Sequence, residues 1–193
     1  MPSNTIHIPS NQSYNGLIHS ETFYRKQQQP RSHAVGTASQ TFTKIPGLTV
    51  PFYHTQPLLY KIRFEGVCWT SHSEVTWIFL RIMVDDFVLY DDKLLPNVDT
   101  RYLVIKGATV NSDIDLMNGG HWRFTVPASV SCSKTDFIYL NAGLHMIDVG
   151  VRGEQKLPVN VVWDTLSIEL VQFDRNVNIG LIPINVTLPN SSG

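Results

Sequence analysis

Cysteine is nearly absent from this chain of 193 residues: Cys68 and Cys132 are the two it has. Two are too few for a disulfide-built scaffold. Cys68 stands beside Trp69 in a strand-like run, where a buried free thiol is the first expectation. A Cys68–Cys132 bridge across a sandwich is the alternative. Charge is scarce as well. Charged residues make up 16% of the chain, against about 25% in an ordinary globular domain. The 15 cations nearly balance the 16 anions, for a net charge of −1. That balance argues against nucleic acid as a partner, because such binding rests on clustered cations meeting phosphates. The one local basic cluster, Arg25, Lys26 and Arg31 around Gln27-Gln28-Gln29, is too sparse for that work. A surface poor in charge and rich in Ser, Thr, Asn and Gln suits packing against other subunits, or is simply a neutral exterior. No apolar run reaches 18 residues, so no membrane span is expected. The opening Met1–His7 lacks the basic and apolar regions of a secretory signal, and none is expected there.

Motifs that announce chemistry are missing too. The chain has no Gly-x-Ser-x-Gly elbow, no glycine-rich phosphate loop and no Cys-x-x-Cys. Its seven histidines show neither His-x-His nor His-Glu-x-x-His spacing, which speaks against zinc. The strand faces offer no evident inward pair of carboxylates for glycoside hydrolysis. The best metal candidates are Asp85, Asp86, Asp91 and Asp92, with Asp99 downstream, since a hard cation takes several oxygens from a loop. They lack the Asp-x-Asp-x-Asp-Gly spacing, and Asp is itself a turn former. The expectation is therefore no catalytic residue, no cofactor and no bound metal. Three Asn-x-Ser/Thr sequons, at Asn11, Asn185 and Asn190, permit glycosylation without indicating it.

What is present is strand pattern. In Leu58–Thr70, Tyr60, Ile62, Phe64 and Cys68 share one parity, with Lys61, Arg63 and Glu65 on the other; this is a half-buried strand. Val75–Val84 is almost continuously apolar, which predicts burial on both faces. Asp85-Asp86 turns the chain into Phe87–Tyr90 as a hairpin. Tyr102–Val110 reads as another strand, Trp122–Val126 as one interrupted by Pro127. The corner Asn141-Ala142-Gly143 separates Phe137–Leu140 from an alternating run that holds Leu144, Met146, Val149 and Val151. Gly143 can supply the positive φ of a tight turn there. Trp163–Phe173 then places Leu166, Ile168 and Leu170 on one face. About eight substantial strands and no convincing amphipathic helix suit an all-β fold, a single jelly-roll (Greek-key) β-sandwich. Trp69, Trp77, Trp122 and Trp163 are expected as core anchors.

The sandwich is assigned to residues 41–173. Residues 1–40, without a sustained period, read as an extended, irregular N-terminal arm whose apolar pairs (Ile6 with Ile8, Leu17 with Ile18, Phe23 with Tyr24) would anchor it along the domain or on neighbours. Residues 174–193 read as a short C-terminal extension packed on the domain or on a neighbour.

The run Leu140-x-Ala142-Gly143-x-His145-x-Ile147, followed by Trp163-Asp164-Thr165-Leu166-Ser167-Ile168-Glu169-Leu170, resembles the late strands of TNF/C1q-type jelly rolls. Thr41-Phe42-Thr43-Lys44 and Leu48-Thr49-Val50-Pro51-Phe52 fit the opening strands of such domains. The layout also resembles the single-jelly-roll penton and minor capsid proteins of large icosahedral DNA viruses. Both resemblances imply a symmetric assembly with no need of a catalytic site. The first expectation is a non-enzymatic structural subunit, a capsid vertex (penton) or minor capsid protein within a virion, pentameric and in contact with neighbouring capsid proteins. The alternative is an extracellular, trimeric TNF/C1q-like head that binds a receptor or a glycan. A carbohydrate-active jelly roll is a third class.

Overall fold

The computed structural model describes residues 5–10 (backbone only), 18–36, 38–155, 158–174 and 179–186. Two antiparallel sheets face each other. The first holds, in order, β1 (Thr5–Ser10), β2 (Ile18–Gln27), β13 (Val159–Phe173), β6 (Leu58–Thr70) and β11 (Ala128–Leu140), and β3 (Ser32–Val35) pairs with β13 beyond the end of β2. The second runs β4 (Thr43–Lys44), β12 (Gly143–Gly153), β7 (Thr76–Val84), β8 (Phe87–Tyr90), β9 (Lys93–Pro96), with β5 (Val50–His54) also on β12 and β10 (His121–Phe124) also on β7. The links β5–β6, β6–β7, β10–β11, β11–β12 and β12–β13 each pass from one sheet to the other. The result is the all-β jelly-roll sandwich that the strand pattern predicts.

Side-chain alternation decides where the core lies. Tyr60, Ile62, Phe64 and Cys68 of β6 point between the sheets and are buried, and Lys61, Arg63 and Glu65 point out. Leu166, Ile168 and Leu170 of β13 join them from the neighbouring strand. β7 is buried on both sides, as its unbroken apolarity predicts. Ile78, Leu80, Ile82 and Val84 face the sandwich, while Phe79 and Met83 face a second cluster with Phe42, Val88, Tyr90, Leu95 and Ile114. That second cluster lies on the outer side of the second sheet, beneath the chain between β9 and β10. The β7–β8 hairpin closes through Asp85 (φ 51°) and Asp86 (φ 70°), a two-residue loop whose positive φ values match strand twist.

Three expectations are corrected. The cysteines form a disulfide, with Cα atoms 5.8 Å apart and both residues fully buried. It staples adjacent strands of one sheet, since Cys68 lies opposite Val130 and Cys132 opposite Gly66 in the β6–β11 ladder, so it does not cross the sandwich. Tyr102–Val110 is not a strand. It enters a 3₁₀ turn (Arg101–Val104) and leads to a one-turn helix, α1 (Asn111–Asp115). The cause is local: Asn111 Oδ1 accepts the Tyr102 N–H at 3.0 Å, and Asp113 Oδ2 accepts from the N–H groups of Thr109 and Val110. Side-chain acceptors thus replace a ladder. Residues 18–27, read as irregular chain, form β2 between β1 and β13. Their period was hidden because the inward positions Ser20, Thr22, Tyr24 and Lys26 are not aliphatic. The corner glycine is as expected: Gly143 has a φ of 158°, a positive value that a residue with a side chain rarely adopts.

Past β13, Ile184 bridges the end of β11, donating to the Tyr139 carbonyl at 2.8 Å and accepting from the Asn141 N–H at 3.1 Å.

Candidate functional site

The outer face of the first sheet carries no other strand among the described residues, and strand register sets its pattern. Phe23, Glu169, Lys61 and Phe137 lie side by side across β2, β13, β6 and β11; Arg25, Ser167, Arg63 and Thr135 form the next row. Its charges are largely matched. Lys61 meets Glu169 at 2.9 Å and Arg63 meets Glu65 at 2.6 Å, exposed pairs worth little to stability. A hydrogen bond shared with Glu169 holds the Glu21 carboxyl above its usual range. Aromatics stand out between and beyond these pairs: Phe23 is 36% exposed, Trp69 37%, Phe137 55% and Trp163 70%. Exposed apolar groups gathered on one face mark an interaction surface.

Trp163 was expected in the core. It sits instead at a bulge where the β13–β6 register shifts between Val162 and Thr165. Its φ is 57° and its N–H donates to the Arg31 carbonyl at 2.9 Å. The extra residue pushes the indole outward and turns Asp164 inward against Gly66. A Cβ at position 66 would lie 1.7 Å from Asp164 Oδ1, so only glycine fits there. Asp164 is 1% exposed, and its Oδ1 has no partner among the described residues. With the Gln28 amide turned to satisfy both its ends, the nitrogen donates to Asp164 Oδ2 at 3.0 Å and the oxygen accepts the His33 N–H at 3.2 Å. Burial pushes the Asp164 carboxyl up to about 7. The sign follows directly. Below about pH 3 the carboxyl is protonated in folded and unfolded chains alike; from about pH 4 to about 7 the unfolded chain ionises first, and stability falls; above about 7 the loss is complete. Asp164→Asn is therefore expected to raise stability at pH 8 by about 4 kcal/mol and to leave it nearly unchanged at about pH 3. Thermal melts at the two pH values measure this, and equal gains at both would refute the assignment.

On the other side of the molecule, three fully buried arginines gather around one carboxylate. Arg101 Nη2 and Arg152 Nε each donate to Asp115 Oδ2 at 2.5 Å, and the Tyr90 hydroxyl donates to Asp115 Oδ1. Arg81 uses its two terminal nitrogens on the carbonyls of Leu80, Gly119, Asp115 and Met117, at 2.6 to 2.8 Å. The remaining charge lies against aromatic faces, Arg152 over Phe79 at 4.1 Å and Arg101 over Phe42 at 4.9 Å, arrangements that stabilise a desolvated cation. Burial still lowers the pKa of Arg81 and Arg152. The cluster holds the β9–β10 connection on the sheet, and this connection presents Leu103, Val104, Val110, Leu116 and Met117 to solvent. The sequence carried a signal for it: Arg81 interrupts an apolar run and Arg152 sits between Val151 and Gly153, where a charge needs a buried partner.

The residues proposed from sequence are dispersed. Asp85 accepts the Met146 N–H at 2.7 Å and meets His145 Nδ1 at 2.8 Å; Asp86 pairs with Lys44 at 2.6 Å; Asp91 (φ 55°) and Asp92 form the turn after β8. Among the described residues no three Asp, Glu, His or Cys side chains converge to hold a metal. These aspartates act as turn formers and ion-pair partners. Both ring nitrogens of His145 are engaged, Nε2 standing 3.0 Å from the Asn141 carbonyl. Trp77 is half-buried on the second cluster, parallel to Phe79 at 6.0 Å. Of the arm residues, Tyr24 packs edge-on to Phe52 at 4.8 Å, Phe23 faces outward and Ile18 is half-buried. Leu17 and the side chains of Ile6 and Ile8 lie outside the described residues, as do Asn11 and Asn190. Asn185 is exposed and accepts a hydrogen bond from Asn141.

No family model matches the chain, and no curated protein does. Among solved structures it is similar to an Eiger TNF from S. frugiperda, with 13% identity over 86% of this chain and 98% of that one and a TM-score of 0.35. It is also similar to the Arthrobacter globiformis T6 isomalto-dextranase complexed with panose, with 15% identity over 84% of this chain but 23% of the enzyme and a TM-score of 0.26. The likeness is distant. Neither protein's role passes to this chain on such scores.

Proposed function

We propose that this chain is a non-enzymatic recognition module that works as a self-associated jelly roll, in the manner of TNF/C1q-type heads, outside the reducing interior of the cell. The observation that carries the reading is the outer face of the first sheet, where Phe23, Phe137, Trp69 and Trp163 stand exposed around matched charges. A second copy laid on this face would bury the aromatics, and it would meet few unpaired charges. The buried Cys68–Cys132 disulfide supports an oxidising compartment, since such bonds persist mainly in secreted and surface proteins.

Light scattering on the purified chain tests the assembly, and a trimer is the expected mass. The double variant Phe23→Glu/Phe137→Glu is expected to loosen it by about 2 kcal/mol or more, the scale of an interface hot spot, and to yield folded monomer. A parent that is already monomeric at every concentration defeats the reading. A pentamer would return the capsid-vertex subunit to the front.

A further inference from the structure

Gln28 and Asp164 are both buried where β3 joins β13, and their side chains fit together in two ways. In each, the Gln28 backbone N–H donates to the Asp164 carbonyl at 2.9 Å. In the first arrangement Gln28 Nε2 donates to the Val161 carbonyl and Oε1 accepts the Asp164 N–H, both at 3.3 Å. Oε1 then stands 3.0 Å from Asp164 Oδ2. Two bare acceptors at that distance repel, so this arrangement calls for the carboxylic acid, with Oδ2–H donating to Oε1. In the second, the amide is turned over. Its nitrogen donates to Asp164 Oδ2 at 3.0 Å, and its oxygen accepts the His33 N–H at 3.2 Å. That arrangement suits the carboxylate, which can only accept. Each forfeits the bonds of the other, so the proton on Oδ2 decides between them.

We infer that Gln28 and Asp164 form a proton-operated switch: with the carboxyl protonated the amide is bonded to β13 alone, and when the carboxyl gives its proton to water the amide turns over and ties β13 to β3. Residues 28–35, the segment acted on, also supply the Arg31 carbonyl that takes the Trp163 N–H. The switch therefore works beside one of the exposed aromatics of the outer face. A loss of stability above pH 7 needs only a buried carboxyl; the switch needs the amide to turn as well. It operates within one chain, whether or not chains associate.

The ionisable groups around Asp164 are occupied elsewhere. Lys26 of β2 donates to the Thr49 carbonyl at 2.5 Å, and Arg63 and Glu65 of β6 pair with each other. Lys44 and Asp148 of the second sheet pair at 2.8 Å. Arg31 meets β13 through its backbone, and the Pro46-Gly47 turn packed on Gln29 brings no charge. Burial raises the Asp164 carboxyl, opposed by the Val67 N–H. His33 is the titratable side chain of β3, and burial lowers its imidazole.

Nuclear Overhauser contacts in the isotope-labelled full chain test the switch, because they report which way the amide faces. At about pH 5 the Gln28 side-chain N–H protons should lie against the His33 N–H; at about pH 8 that contact should be lost and replaced by one with the Asp164 N–H. The exchange should share its midpoint, about 7, with the Asp164 carboxyl carbon. In Asp164→Asn the acid-side contact should persist at both pH values, since the new amide donates to Gln28 Oε1 as the acid does. In His33→Gln, which removes the imidazole, the exchange should still occur. An amide that keeps one set of contacts while the Asp164 carbon titrates would overturn the switch, as would an exchange that survives in Asp164→Asn or vanishes in His33→Gln. If Asp164→Asn does not fold, the shared midpoint in the parent and the His33→Gln result decide the matter.

Discussion

Asp115→Ala is expected to lower the unfolding free energy by about 5 kcal/mol, the upper end for breaking a buried ion pair. Asp115 is the one carboxylate among three fully buried guanidinium groups. Its Oδ2 takes both Arg101 and Arg152 at 2.5 Å, and its Oδ1 takes the Tyr90 hydroxyl. Alanine would leave two guanidinium groups and a phenol buried with no carboxylate, held only by carbonyls, the Ser112 and Tyr90 hydroxyls and ring faces. Burial already lowers the pKa of Arg152, and Asp115 is the group that opposes this. The β9–β10 connection should open first, because Arg101, α1 and Asp115 itself all belong to it. Urea midpoints give the size of the effect, and hydrogen exchange at residues 111–120 gives its place. The combined variant Arg101→Met/Asp115→Leu/Arg152→Met should recover much of the loss, because replacing a whole buried network with apolar side chains is often nearly neutral. An unchanged midpoint in Asp115→Ala would mean that neutral acceptors and aromatic faces alone hold these cations.

The second large effect belongs to the disulfide. Cys68 and Cys132 are 64 residues apart in sequence, and closing a loop of that length in the unfolded chain is worth about 4 kcal/mol in the chain-entropy account. Cys68→Ala/Cys132→Ala should therefore lower stability by about that amount under oxidising conditions. Against a reducing agent the parent should fall to the level of the variant, while the variant itself stays put. Equal sensitivity of the two to reductant would deny the bond. The loop so closed contains β7 through β10 and, of the arginine cluster, Arg81, Arg101 and Asp115 but not Arg152, so β6–β11 pairing is the step the bond most favours.

In both features the partners could not be read along the chain. Alternation in β6 and continuous apolarity in β7 named both strands, because each reports a strand's own faces. Asp85-Asp86 named its hairpin because the turn is local. β2 escaped notice since its inward side carries Ser20, Thr22, Tyr24 and Lys26 in place of aliphatic residues. Tyr102–Val110 misled because an apolar stretch does not show whether a sheet edge is free to receive it. Trp163 was misplaced by a bulge, which depends on Gly66 in another strand making room for Asp164. The metal candidates fell away because acidic pairs at neighbouring turns need not converge.

By itself, the sequence determined the class of the fold, the parity of its long strands and its corner turns, all of which depend on residues within a few positions of each other. Only the tertiary structure decided that the cysteines meet within one sheet, and that Arg101 and Arg152 share one carboxylate while Arg81 holds the carbonyls beside it. Those depend on register between strands far apart in the chain, and register is set by the packing of whole sheets, which no local pattern encodes.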